Sequence, residues 1–130
     1  MAPYTTSENA TGKRRWSGHD LRDSLKGAIR LRQSHRCAYC GKVAQNGHID
    51  HVQPRILGGA NTADNLVWSC RPCNLAKSDT PVETWLARRP KTLMRVRAIL
   101  AEPVDRVAGR VYIERRKQVV KALSKGGYDD

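Results

Sequence analysis

Four cysteines arranged as two C-x-x-C pairs form the most distinctive chemical pattern in the chain: Cys37, Cys40, Cys70 and Cys73. Two such hooks, carried by two separate turns, supply the four thiolates that a tetrahedral structural zinc ion requires. The 29 residues between the pairs leave room for a hairpin. Free thiols, disulfides and a redox pair are the alternatives. The spacing disfavours free thiols, an expected reducing compartment disfavours disulfides, and no thioredoxin-like βαβ pattern accompanies the pairs.

A second set of polar residues is interleaved with the cysteines. Asp50 and His51 are adjacent, and Asn74 directly follows the last cysteine. A carboxylate and an amide oxygen suit a hard divalent ion such as magnesium, and a neutral imidazole is a suitable general base near pH 7. This order predicts a catalytic cation at Asp50 and Asn74, with His51 facing a phosphodiester. Neighbours on a straight strand point to opposite faces, but the loop residues Gln53 and Pro54 follow at once, so we expect the backbone to bend at Asp50 and His51.

Each of these residues taken alone also has an ordinary structural explanation. Asn65 and Asn74 could be a turn residue and a helix cap, and a histidine near a strand end is commonly a surface or core residue. Their joint order is what favours catalysis. Three accessory candidates are His48, Arg55 and Lys77. His48 could assist metal or phosphate binding, whereas a phosphate clamp and simple surface solvation are equal alternatives for the other two.

Positive charge is concentrated on both sides of this motif. The net charge is +12, with eight Lys/Arg against three Asp/Glu in residues 1–36, four against four in 37–87, and twelve against three in 88–127. A neutral centre between basic flanks suits DNA gripped around a central site. Solvated helix faces are the alternative. A membrane surface is disfavoured because no helix pairs its basic face with Trp or Phe anchors.

The apolar composition predicts a small core. The chain has 130 residues, no Phe and 5% aromatic residues, so we expect one domain that depends on a metal or a partner for stability. Residues 1–17 contain no continuous apolar run. That composition predicts a cytoplasmic, reducing compartment, where C-x-x-C pairs typically bind metal.

Hydrophobic periodicity predicts an α+β fold. A helix over 20–34 is followed by strands at 48–52 and 66–69 and a short helix at 71–78, which together make a ββα unit. Three further helices are predicted. One starts at Thr80 as N-cap and ends before Pro90, and the others cover 92–101 and 104–124. A strand at 110–114 is an alternative within the last one.

The ββα segment resembles a known enzyme family. The stretches Asp50-His51-Val52-Gln53-Pro54-Arg55, Asp64-Asn65-Leu66-Val67 and Cys70-Arg71-Pro72-Cys73-Asn74-Leu75-Ala76-Lys77 are similar to the four-cysteine branch of the HNH endonucleases of bacteria and their phages. The resemblance covers residues 36–83. The last position of the motif is Asn74 instead of His, an HNN variant. Phage junction resolvases share this Asn and have a His two residues before the Asp, as His48 is here.

This resemblance implies a small ββα-metal core, also called a His-Me finger, with a four-cysteine zinc knuckle and flanking helices. It implies that His51 is the general base and that Asp50 and Asn74 hold one magnesium or manganese ion bridging the scissile phosphate and the leaving 3′ oxygen. Asn65 would brace the loop that aims His51. Cleavage would leave 5′-phosphate and 3′-hydroxyl ends.

The resulting hypothesis is a metal-dependent DNA endonuclease that nicks as a monomer, since each chain carries one site. We expect a flexible basic arm at 1–18, the nuclease domain at 19–87 and a basic helical extension at 88–130. Two alternatives stay open. One is a zinc-ribbon nucleic-acid-binding protein without catalysis, and the other is a nuclease subunit active only with a phage packaging or restriction partner. A homodimer is also open.

Overall fold

The computed structural model describes residues 22–124, so the predicted arm at 1–18 and the end of the predicted extension lie outside the described residues. The helices are α1 (Asp23–Arg32), α2 (Arg71–Lys77), α3 (Val82–Trp85), α4 (Pro90–Ala101) and α5 (Arg106–Ala122), and the strands are β1 (His48–His51) and β2 (Leu66–Ser69). Within this part of the chain, no helix combines the length and apolar character needed to cross a membrane.

The two strands form an antiparallel hairpin whose register places His48 opposite Ser69 and His51 opposite Leu66. A 14-residue connection joins them and contains two 3₁₀ turns, Arg55–Leu57 and Ala63–Asn65. Helix α2 starts directly after β2. The predicted α+β fold with its ββα unit is therefore confirmed. The predicted bend at His51 is wrong, because β1 stays paired through this residue and the ladder continues from Val52 N–H to Asn65 O at 2.9 Å.

Strand β2 is buried on both faces. Val67 packs in a core with residues of the first cysteine turn, whereas Leu66 and Trp68 pack in a second core against α1. The amide side chain of Gln33, just after α1, satisfies the outer edge of β2. It accepts from Trp68 N–H at 2.8 Å and donates to Trp68 O at 2.8 Å. Two cores on either side of one strand therefore fix the hairpin from which the site residues project.

Helices α3 and α4 cover the first core. Val82, Leu86 and Val96 are buried there together with Ala38 and Tyr39 of the first cysteine turn. The predicted N-cap at Thr80 is wrong. Helix α3 is capped at Pro81 without a side-chain hydrogen bond, and Val82 N–H instead donates to Val52 O at 3.1 Å. A tertiary bond to the loop after β1 thus takes the place of the local cap.

Helix α5 packs along α1 at a glycine–glycine crossing. A Cβ atom added to Gly27 would lie 2.2 Å from Gly109 O, and one added to Gly109 would lie 2.3 Å from Ser24 O. Only glycine allows two helix backbones to approach so closely. Asp105 caps α5 by accepting from Val107 N–H and Ala108 N–H at 3.1 and 3.0 Å. The alternative strand at 110–114 is wrong, since these residues are helical.

Candidate active site and cysteine cluster

The four cysteines converge from two elements. Cys37 and Cys40 lie on a turn before β1, and Cys70 and Cys73 lie at the start of α2. Their four sulfur atoms all lie within 4.8 Å of one another, and the Cys40 and Cys70 sulfurs are 3.8 Å apart. A tetrahedral zinc ion with Zn–S bonds of about 2.3 Å separates its sulfurs by about 3.8 Å. The cluster therefore fits one zinc ion.

The backbone around the cluster favours negative charge on sulfur. Tyr39 N–H and Cys40 N–H donate to Cys37 Sγ at 3.3 and 3.4 Å, and Cys73 N–H donates to Cys70 Sγ at 3.5 Å. Gly41 adopts φ +79°, which allows the first turn to close. Burial raises the pKa of the Cys37 thiol, but the backbone amides outweigh it and bring the pKa to about 7.

The neighbouring thiols oppose a second negative charge. Burial, and then hydrogen bonds and charge from the other cysteines, raise the pKa of Cys73. Four sulfurs this close can all be thiolates only when a cation lies among them. The donor set and its electrostatics both fit a metal ion.

Asp50 is the centre of a buried polar network. Its Oδ2 accepts from Tyr39 O–H at 2.5 Å and lies 3.3 Å from Lys77 Nζ, and its Oδ1 accepts from Asn74 Nδ2 at 3.2 Å. The three partners come from the first cysteine turn and from two positions one helical turn apart on α2. The carboxylate is therefore fixed by the elements that also carry the cysteines.

Burial sets the electrostatics of this network. It raises the pKa of the Asp50 carboxyl, and the nearby Lys77 ammonium and Tyr39 hydroxyl oppose that rise. Burial and the charge of Asp50 also raise the pKa of Tyr39, so its hydroxyl stays protonated and donates. The result is a carboxylate whose charge depends on one buried cation.

Lys77 is that buried cation. Its side chain is 0% exposed, and its Nζ donates to the backbone O of His51 at 2.8 Å in addition to its ion pair with Asp50. Surface solvation, one of the two alternatives for this residue, is wrong because α2 places the side chain under the hairpin. Lys77 thus connects the side chain of one site residue to the backbone of the next.

The side chain of His51 contacts the loop between the strands. Its Nε2 lies 2.6 Å from Asn61 Oδ1. Burial lowers the pKa of His51, and the hydrogen bond to Asn61 and the charge of Asp50 only partly oppose this effect. The ring is therefore neutral at pH 7, the state in which an imidazole can accept a proton.

Asn65 ties together the two ends of the loop that carries Asn61. Its Oδ1 accepts from Gln53 N–H at 2.9 Å, and its Nδ2 donates to Gln53 O at 3.1 Å and to Ala60 O at 2.9 Å. These three bonds close the chain between residues 53 and 60. The side chain contacts backbone throughout and lies apart from the Asp50 network.

The remaining candidates lie at the two ends of β1. His48 is exposed at its start, beside Arg71 in a cleft. Arg55 begins the 3₁₀ turn after β1, close enough to His51 that its charge lowers the pKa of the ring. Phosphate binding by either residue stays a prediction.

Two site residues were missed by sequence reasoning. Tyr39 lies between the first two cysteines and donates to Asp50, and Asn61 lies in a glycine-rich loop and holds His51. Neither position has a periodic or spacing signal. Tyr39 resembles any apolar residue of a cysteine turn, and Asn61 resembles any turn asparagine.

Comparison with known proteins identifies this segment. Residues 37–80 match the family model described as HNH endonuclease. The chain is 44% identical over 57 residues to the CRISPR-associated endonuclease Cas9 of Corynebacterium diphtheriae, covering 42% of this chain and 5% of that protein. It is 38% identical over 52 residues to the Cas9 of Actinomyces naeslundii, covering 38% of this chain and 5% of that protein.

The similarity is confined to this domain. The chain spans about 5% of the length of the curated relatives it matches. No solved structure matches it. The resemblance predicted from the motif is confirmed, and residues 37–80 form an HNH endonuclease domain.

Proposed function

From the HNH endonuclease domain at residues 37–80, we propose that the chain is a DNA endonuclease that hydrolyses phosphodiester bonds with one divalent ion. The observation that carries this proposal is the placement of the Asn74 amide 3.2 Å from Asp50 Oδ1, with the neutral His51 ring next along β1. One carboxylate, one amide and one imidazole at a strand–helix junction are what such a reaction requires. The relatives named endonucleases support a nuclease activity, and the net charge of +12 supports DNA as the substrate.

The residues present fit a magnesium or manganese ion. Rotating the Asn74 amide by half a turn would direct its oxygen toward Asp50 Oδ1, giving two oxygen donors at one point. The second carboxylate oxygen is already engaged by Tyr39 and Lys77. Asp50 therefore offers one oxygen, which leaves most positions of a six-coordinate ion to water and a substrate phosphate. When bound, such an ion stabilises negative charge on the phosphate and on the departing oxygen.

His51 is assigned as the general base. With Asn61 Oδ1 accepting, Nε2 carries the ring proton and the lone pair is on Nδ1. Nδ1 is then the atom that takes a proton from the attacking water. Asn61 fixes the tautomer and the ring angle, a second role that general-base histidines commonly require. Asn65 acts through the loop, holding Asn61 in position.

The cysteine cluster is assigned a structural zinc ion. Cys73 is followed by Asn74, and Tyr39 stands between Cys37 and Cys40, so a metal bound here fixes two partners of Asp50. A zinc ion with four protein thiolates leaves no open position for substrate. Its role is to hold the reaction centre together.

One reaction centre per chain favours nicking of a single strand by a monomer. The test is incubation of supercoiled plasmid with magnesium or manganese, with the metal omitted as control. Nicked circles that depend on the ion support the proposal, and their ends should be 5′-phosphate and 3′-hydroxyl. Binding without cleavage would support the zinc-ribbon alternative. Cleavage only with a phage packaging or restriction partner would support the subunit alternative.

A further inference from the structure

A positively charged cleft lies at the opposite end of β1 from His51. The cleft, of about 390 Å³, opens between the hairpin and helices α1 and α5. Its polar lining includes Arg30, Gln45, His48, Arg71 and Arg116. None of the residues lining it is acidic. Three arginines from α1, α2 and α5 therefore meet at one cavity, and α5 lies outside the matched domain.

Arg30 is an unusual cation, because it is buried without a carboxylate. It is 5% exposed, and among residues 22–124 no carboxylate lies within 4.0 Å of its guanidinium. Its hydrogen bonds go to His35 Nδ1 at 2.8 Å and to Gln45 Oε1 at 3.0 Å, both on neutral groups. Buried charges in proteins are normally paired. Within residues 22–124, the guanidinium of Arg30 is held by two neutral hydrogen-bond acceptors and by aromatic faces.

Those aromatic faces fix the guanidinium at the cleft. Arg30 lies 4.4 Å from the ring centre of Trp68 and 5.5 Å from that of Tyr112. Trp68 is itself held by its indole N–H, which donates to Ala44 O at 2.8 Å. An arginine fixed in this way is preorganised to receive an anion, since little side-chain entropy remains to be lost.

Arg71 and Arg116 add two further positive charges at the solvent-exposed side of the cleft. Both are exposed, and they lie on helices that pack on different parts of the fold. Like charges at one cavity repel one another unless an anion lies between them. Arginine also binds phosphate through paired N–H donors. The geometry points to a phosphate group as the ligand.

We propose that this cleft binds a backbone phosphate of the DNA strand that is cut in the reaction centre, an assignment that rests on the proposed function. Strand β1 runs from His48 at the cleft to His51. Three residue steps of a strand cover about 10 Å. The bound phosphate therefore lies within a few nucleotides of the scissile bond. The cleft aligns the strand before cleavage and takes part in no chemical step.

The first experiment measures binding of a fluorescein-labelled duplex over a range of salt, with zinc retained and magnesium and manganese omitted. Each phosphate contact contributes about 0.9 to the slope of log K against log salt. We expect Arg116→Gln and Arg71→Gln each to reduce that slope by about one. Arg115→Gln is the matched control, because this exposed neighbour on α5 is not part of the cleft lining. Slopes in the two cleft variants equal to that of Arg115→Gln would overturn the assignment.

A second measurement separates a strand from a free anion. The Trp68 indole N–H resonance is followed during titration with the duplex and, separately, with inorganic phosphate. A saturating shift with the duplex that is absent in Arg116→Gln supports the assignment. A shift with inorganic phosphate but none with the duplex would overturn it.

Plasmid nicking by the same variants in magnesium keeps the two proposals apart. If the wild type nicks the plasmid but the salt slopes of the cleft variants are unchanged, the phosphate-site proposal is wrong and the nuclease proposal stands. If the cleft variants have reduced salt slopes but the wild type does not nick the plasmid, the cleft remains a phosphate site and the nuclease proposal is wrong.

Discussion

The ammonium of Lys77 lies 3.3 Å from Oδ2 of Asp50, and both side chains are buried. The same ammonium donates to the backbone O of His51 at 2.8 Å. A single cation on α2 thus sets the position and charge of one proposed ligand and the backbone of the proposed base. Two adjacent residues of one strand are coupled through it.

Replacing Lys77 by Met should destabilise the protein, because it leaves the Asp50 carboxylate buried without a counter-ion. Breaking such a pair typically costs about 3–5 kcal/mol. Burial already raises the pKa of Asp50 above 3.8, and loss of Lys77 raises it further. A raised carboxyl pKa gives stability that is complete below the unfolded pKa and is lost as pH rises through the folded value. With zinc retained and magnesium and manganese omitted, the cost of Lys77→Met should therefore be larger at about pH 7 than at about pH 4.

Urea unfolding at both pH values measures this difference. Lys91→Met, at an exposed position of α4, is the matched control. Equal destabilisation by Lys77→Met at the two pH values would contradict the coupling to Asp50.

Replacing His51 by Ala should reduce cleavage by about 10²–10⁴-fold, the usual contribution of a general base. The fold should survive, since the ring contacts the Asn61 side chain in the loop between the strands. Initial rates of plasmid nicking and circular dichroism check the two statements. Val43→Ala, at an exposed position before the same strand, is the comparison. Near-normal nicking by His51→Ala would remove the residue from the mechanism.

The pH dependence of cleavage should show an acid limb below 6.5. Burial lowers the pKa of His51 from 6.5, so the folded ring stays neutral until pH falls through the lowered value. Below that value the single-turnover rate should fall about tenfold per pH unit. The Asn61 hydrogen bond raises the pKa of His51, so Asn61→Ala should move the limb to still lower pH.

Thr62→Ala, at the exposed residue next to Asn61, serves as the control for loop disturbance. A limb centred above 6.5 in the wild type, or a shift to higher pH in Asn61→Ala, contradicts the assignment of His51 as the neutral base.

Replacing Cys70 by Ser should release zinc and unfold the domain. The sulfur is within 4.8 Å of the other three, and its loss leaves three thiolates and an incomplete cation site. Zinc content by metal analysis and circular dichroism provide the measurement. Ala76→Ser adds a hydroxyl at an exposed position of the same helix and should change neither. Full zinc content in Cys70→Ser would show that the cluster is not the metal site.

Replacing Gly109 by Ala should destabilise the protein although alanine is the better helix former. The added Cβ would lie 2.3 Å from Ala28 N and Ser24 O, so α5 must move away from α1. Overpacking of this kind costs about 1–3 kcal/mol beyond the roughly 1 kcal/mol that alanine gains in a helix. Arg110→Ala, at the next and exposed position, is the control in thermal unfolding. Stabilisation by Gly109→Ala would mean that the two helices do not cross here.

The order of the motif residues determined much of the fold from the sequence. The pairs Cys37/Cys40 and Cys70/Cys73 fix two turns by their local spacing. The mixed-apolar segment at 48–52 and the apolar run at 66–69 indicate the strands between them. These features depend on residues close together in the chain, where spacing and periodicity carry the information. The HNH motif is a pattern of the same kind.

Only the tertiary structure decided which groups surround the site. Tyr39 reaches Asp50 from the first cysteine turn, Asn61 reaches His51 across the loop, and Lys77 is buried instead of solvated. Gly27 of α1 and Gly109 of α5 mark a close crossing of the two helices. Each of these contacts joins elements separated along the chain, and their geometry depends on how the helices pack on the hairpin. Local sequence patterns do not predict that packing, because the burial of one side chain depends on residues far from it in sequence.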